Sequence, residues 1–145
     1  MTAYDDSNIF ARILRGEIPS QRVYEDDRVV AFMDVMPQGA GHTLVVPKAA
    51  SRNILDADPA TFGPLMAAVQ KVALAVKTAF AADGITILQY NEAAGGQSVF
   101  HLHFHVIPRF DGVPLTRHSG GMEKPEILAA NAEKIRKVLT ASPPR

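Results

Sequence analysis

Three of the five histidines in this 145-residue chain fall on every second residue, in the stretch Gln97-Ser98-Val99-Phe100-His101-Leu102-His103-Phe104-His105-Val106-Ile107. Side chains of a β-strand alternate between its two faces, so as a strand this stretch would set His101, His103 and His105 on one side and Leu102, Phe104 and Val106 on the other. One face carries chemistry and the other joins a core. A strand with a merely polar face has no need of three imidazoles where Thr or Lys would serve.

Composition limits what such a strand can belong to. A chain of 145 residues, 47% hydrophobic, has the size of one ordinary globular domain. Its 15 basic and 15 acidic residues cancel, which leaves no basic field to track a nucleic-acid backbone but allows a site for one small anion. With no cysteine there are no disulfides, thiol nucleophiles or thiolate metal sites. Met1 to Asn8 lacks a basic start and an apolar run, and no uninterrupted apolar segment approaches the ~20 residues needed to cross a bilayer. A soluble cytoplasmic protein without a membrane partner is the expectation.

Along the chain, Ser7 can cap a short helix over Asn8 to Arg15 whose stripe is Ile9, Phe10, Ile13 and Leu14, with Gly16 ending it. Gln21 to Tyr24 and Arg28 to Asp34 read as a hairpin turning at Glu25-Asp26-Asp27. Phe32 and Asp34 share a face of its second strand; taken locally, Asp34 is a turn residue before Pro37. A third strand follows over His42 to Val46, stopped by Pro47. Asp58-Pro59 opens the longest helix, Ala60 to about Ala82, with Phe62, Leu65, Met66, Val69, Val72, Val76 and Phe80 at helical spacing. Ile85 to Asn91 makes a fourth strand, with Gln89 and Asn91 on one face. Beyond Pro108 loop composition dominates, including Ser119-Gly120-Gly121, until Pro125 to Leu139 resumes a helix. Its Lys134, Arg136 and Lys137 read as a solvated basic face, and Ser142 to Arg145 as a frayed tail.

Alternating histidines can supply ligands to zinc, but His101 and His105 would lie ~13 Å apart in a strand, and a closed site would need His42, His118 or carboxylates from elsewhere. Nucleophilic catalysis at phosphorus suits the pattern better. An imidazole with a pKa near ~6.5 can attack while its neighbour keeps a proton for phosphate oxygens or a leaving group. Gly95 and Gly96 would let backbone N–H groups approach an anion closely, and the Ser98 hydroxyl could add a hydrogen bond.

The run His101 to Ile107 resembles the histidine triad signature, in which histidines alternate with apolar residues. The similarity continues through Ile9-Phe10, Gly16-Glu17-Ile18-Pro19, Tyr24-Glu25-Asp26, Ala31-Phe32-Met33-Asp34, Gly41 to Lys48, Asn91-Glu92 and Gly96-Gln97-Ser98-Val99. The chain is thus similar to the histidine triad nucleotide-binding (Hint) branch, over about Ser7 to Pro108. The resemblance implies an α+β fold: an antiparallel sheet of about five strands with one long helix packed on it, a short N-terminal helix and an extra C-terminal helix. It implies one domain over residues 1–145, with a core at about 7–108 and an extension at about 109–145. A homodimer is implied by the branch, although no feature of the sequence signals an oligomer.

The same resemblance implies hydrolysis of a purine nucleoside 5′-phosphoramidate, without a cofactor or metal. His103 would be the nucleophile and His105 the partner of the phosphoryl oxygens or leaving group, with His101 and His42 orienting the nucleophile. Asn91, Gly96, Gln97 and Ser98 match positions at the phosphate or leaving group, and Asp34 the carboxylate on the ribose hydroxyls. Ile9, Phe10, Ile13 and Phe32 match the walls around the purine, with Val35 nearby. Many bacterial relatives carry zinc on a Cys-x-x-Cys and a histidine where this chain has Asn8, Ala11 and Ala49 or Ala50. The implied alternatives are a diadenosine polyphosphate hydrolase of the fragile histidine triad type, or a nucleotide-responsive binding protein whose catalysis is incidental.

Overall fold

The computed structural model describes residues 3–117 and 121–141. His118, Ser119, Gly120 and the tail from Ser142 to Arg145 lie outside the described residues. Helix α1 (Ile9–Leu14) is followed by the hairpin β1 (Arg22–Glu25) and β2 (Val29–Met33), then β3 (Thr43–Pro47), α2 (Phe62–Ala79), β4 (Gly84–Leu88), β5 (Phe104–Arg109) and α3 (Pro125–Ala141). The strands form a five-stranded antiparallel sheet in the order β1-β2-β3-β5-β4. This is the expected α+β architecture.

Strand alternation divides the sheet into two faces. Val29, Ala31, Met33, Val45, Phe104 and Val106 pack with Leu65, Val69, Val72 and Val76 of α2 in one cluster, as the helical spacing requires. Leu128, Ala132 and Ile135 of α3 enter the same cluster, and full burial of a side chain such as Ile135 stabilises by about 1.5–3 kcal/mol. By length and composition Pro59–Ala79 could cross a bilayer, but its apolar stripe is taken up by the sheet. On the opposite face Val30, Phe32, Leu44 and Val46 meet Phe10 and Ile13 of α1.

Several boundaries depart from expectation. Asn8 caps α1, accepting from the Ala11 N–H, while the Ser7 hydroxyl donates to Asp5. A single 3-10 turn over Pro59–Thr61, capped by Asp58, precedes α2. The chain leaves β4 at Leu88, three residues earlier than expected, and the histidine strand begins only at Phe104. The cause is upstream competition: the Leu102 N–H donates to Ser51 O and the His101 ring takes the Pro47 carbonyl, so residues 101–103 lie outside the ladder, with a bend at His101. The basic end of α3 is not simply solvated, because Arg136 donates through Nε to Arg22 O and through Nη2 to Gln21 Oε1, and Lys134 lies over the Phe80 ring.

Candidate active site

Phe32, Leu44, His105 and Leu88 face one another in register across β2, β3, β5 and β4. Asp34 and His42 continue the same face just past the ends of β2 and β3, where the Asp34 N–H donates to His42 O. His103 and His105 stand side by side with ring centroids 5.0 Å apart, and the Phe10 ring meets His103 edge-on at 4.8 Å. His42, His101, His103 and His105 are all buried.

The hydrogen-bond network assigns the proton on each ring. Gln38 N–H donates to His42 Nδ1 at 3.0 Å, which leaves the His42 proton on Nε2. That nitrogen lies 2.9 Å from His105 Nδ1, so His42 donates and the His105 proton sits on Nε2, the atom turned from the relay. His103 Nδ1 lies 2.6 Å from the His101 carbonyl oxygen; since a carbonyl only accepts, Nδ1 carries the proton and Nε2 the lone pair. Two adjacent imidazoles are thereby set differently, His103 with a lone pair at Nε2 and His105 with a proton there. His101 works through its backbone, while its ring is committed to Tyr4 and Pro47.

Asp34, His42 and His105 offer three atoms within 4.8 Å of one another that could hold a metal ion. The proton placed on His42 Nε2 by Gln38 argues for a relay instead, because a ligating imidazole must present a lone pair there. Asp34 is turned partly to its own backbone: one oxygen accepts the Met36 N–H at 2.8 Å and the other is 3.4 Å from His42 Nε2. The first contact is the turn expected locally, and the second brings the carboxylate to the histidines.

The loop before the histidines departs from its expected role. N–H groups of Gly95, Gly96 and Gln97 donate to Glu92 O, Ala93 O and Glu92 O, so they close a 3-10 turn and do not cradle an anion. The left-handed φ of +103° at Gly96 serves that turn, and a Cβ there would come within 3.0 Å of the Tyr90 ring, which packs edge-on against His105. Gln97 is likewise a scaffold residue. Its Oε1 accepts from Asn53 Nδ2 and Glu92 N, and its Nε2 donates to Arg52 O and Val99 O, so both ends of the buried amide are bonded within the loop and its neighbours. Ser98 is exposed, and the half-buried Asn91 is held by a reciprocal amide pair with Gln89 at 2.8 Å.

Glu92 adopts φ +67° and ψ 161°, a conformation that costs a non-glycine residue about 1–3 kcal/mol. Arg52 offsets it by donating to both carboxylate oxygens at 2.8 and 3.0 Å, and Asn53 adds a bond at 2.6 Å. The guanidinium holds the Glu92 carboxyl below the usual carboxylate range. Arg52, Asn53, Gln38 and Tyr4 were not legible as site residues, since each acts on a partner far along the chain or through its backbone. The buried, polar Gln97 beside the triad was the one local signal of such a network. Of the expected purine walls, Phe10, Ile13 and Phe32 cluster beside His103, whereas Ile9 and Val35 are exposed.

Comparisons with known proteins bear on the family and the fold. Residues 15–112 match the HIT domain family. A crystal structure of a Hit-like protein involved in cell-cycle regulation from Bartonella henselae superposes with a TM-score of 0.88 at 60% identity, covering 94% of this chain and 99% of that one. The protein hit of Bacillus subtilis is 38% identical over 92% of this chain and 95% of its own length. The adenylylsulfatase HINT3 of Arabidopsis thaliana is 33% identical over 80% of this chain and 62% of its own length.

Proposed function

Because the chain belongs to the HIT domain family, whose members are generally nucleotide-binding hydrolases, we propose that it hydrolyses purine nucleoside 5′-phosphoramidates through a nucleotidyl-histidine intermediate on His103. The observation that supports this reading is the 2.6 Å bond from His103 Nδ1 to the His101 carbonyl, which puts the proton on Nδ1 and the lone pair on Nε2.

In the proposed reaction, His103 Nε2 attacks the phosphorus and forms a P–N bond as the bond to the leaving amine breaks. The His105 Nε2–H, which His42 orients, donates a hydrogen bond to the leaving amine, and the amine takes its proton from solvent. The positive charge arising on the His103 ring is stabilised by its Nδ1–H on the His101 carbonyl. Water, losing its proton to solvent, then attacks the same phosphorus as the bond to His103 Nε2 breaks, and the 5′-nucleotide is released. Phe10, Ile13 and Phe32 would wall the purine, Asp34 would accept from the ribose hydroxyls, and Asn91 and Ser98 would lie at the phosphate or leaving group.

The whole chain acts in this reading as one cytoplasmic domain, its C-terminal extension anchored by α3 in the core. A homodimer is favoured by the exposed Met66, Leu74 and Ile87 beside the open β4 edge. Sedimentation at micromolar concentration checks it, and a monomer would remove it.

The adenylylsulfatase relative makes adenosine 5′-phosphosulfate the nearest competing substrate. Turnover of adenosine 5′-phosphoramidate, adenosine 5′-phosphosulfate and diadenosine tetraphosphate should be compared at equal concentration. The highest kcat/KM is expected for the phosphoramidate. Preference for the phosphosulfate or the dinucleotide would move the substrate class, and no turnover of any would leave a binding protein.

A further inference from the structure

Tyr4 precedes α1 and lies outside residues 15–112, which match the family. It nevertheless reaches the histidine run: its hydroxyl is 2.6 Å from His101 Nδ1, with the two rings edge to face at 5.6 Å. His101 Nε2 is 2.8 Å from the Pro47 carbonyl, which can only accept, so Nε2 carries the proton and Nδ1 accepts from Tyr4. The Tyr4 oxygen in turn accepts from Asn8 Nδ2 at 3.0 Å. Every proton in this chain of contacts therefore has one direction, from Asn8 to Tyr4, from Tyr4 to His101, and from His101 to Pro47.

His101 is 1% exposed, so losing the tyrosine hydroxyl would take from its buried Nδ1 the partner it has here. Burial pushes the His101 pKa down and that of Tyr4 up, which agrees with both groups being neutral. A ring held at both nitrogens also fixes the residue that bears it, and the carbonyl of that residue holds the His103 Nδ1–H. Asn8 adds a second link, because it caps α1, the helix that sets the Phe10 ring against His103.

From these contacts we infer that Tyr4 is a positioning residue for His103: its hydroxyl, acting through His101, sets the backbone carbonyl that aims the attacking nitrogen. The inference rests on the reading of His103 as the nucleophile. It also makes the N-terminal segment part of the reaction machinery.

Tyr4→Phe removes only the oxygen and tests this directly. On adenosine 5′-phosphoramidate, kcat should fall about tenfold, the size of one buried hydrogen bond, with KM held within about twofold. Nitrogen-15 spectra of the resting protein should show the His101 Nδ1 resonance moving and the His103 Nδ1–H proton exchanging faster. Ser7→Ala, which removes a hydroxyl that donates to Asp5, is the control and should change neither. Asn8→Ser keeps a cap on α1 but removes the donor to Tyr4, and should lower kcat about threefold. It serves as the second variant if Tyr4→Phe does not fold. A folded Tyr4→Phe protein with unchanged kcat and an unchanged His103 proton would overturn the inference, even if its melting temperature dropped. Should the wild type fail to cleave the phosphoramidate, the proposed substrate class falls, while the His103 proton still decides the role of Tyr4.

Discussion

On the face that meets α2, the sheet presents Val29, Ala31, Met33, Val45, Phe104 and Val106, which pack into a cluster of apolar side chains. On the other face the same strands carry Phe32, Leu44 and His105, then run on into Asp34 and His42, where apolar packing gives way to directed hydrogen bonds. The first face tolerates exchange of one apolar side chain for another of similar volume. The second does not, since each imidazole has its proton placed by a named partner, and losing one partner leaves a buried polar atom alone. A single two-residue period thus separates the apolar face that packs on α2 from the face that carries the histidine network.

That separation can be broken experimentally. The largest effect is expected from His103→Ala, which should lower turnover at least about a thousandfold while nucleotide affinity stays within a few-fold. Steady-state rates and calorimetric titration with AMP check it, and joint loss of both would count against His103 as the nucleophile. Leu65→Ala, on the opposite face, should do the reverse: a loss of about 2–5 kcal/mol in denaturant unfolding, with turnover per folded molecule unchanged. A large change in kcat there would mean that the two faces are coupled.

The smallest effect is a pH dependence that belongs to His101. Burial holds its folded-state pKa below the ordinary 6.5, so as pH falls through 6.5 the unfolded chain takes up a proton before the native one does. Stability should therefore be full above that pH and decline below it, toward the lower folded-state pKa. His101→Gln, which cannot titrate, should flatten this part of the curve relative to wild type in melts between about pH 7.5 and pH 5. An equal slope in both proteins would assign the acid sensitivity to other groups.

Much of the helix-side face was legible from sequence because it depends on period. Leu65, Val69, Val72 and Val76 recur as a helix requires, and Leu102, Phe104 and Val106 as an extended chain requires. The site face was legible only in part. That histidines 103 and 105 would meet follows from alternation, but the start of β5 depends on Ser51 and Pro47, about fifty residues away. Gln97 and the glycines looked like an anion loop because small residues permit one. Their partners are instead Asn53, Arg52 and Glu92, and no local pattern encodes a contact between positions 53 and 97. Asp34 illustrates the remaining difficulty, since one carboxylate holds its own turn and also faces His42.

The hold of Arg136 on β1 bears on how copies of the chain could meet. Its guanidinium donates to the Arg22 carbonyl at one border of the sheet, where α3 lies alongside, while β4 at the other border pairs with β5 alone. A ribbon with one border guarded and one bare can be extended across the bare side only. Two such ribbons joined there by a twofold axis expose no further bare border, so association by strand addition terminates at a pair and cannot run on into a fibre.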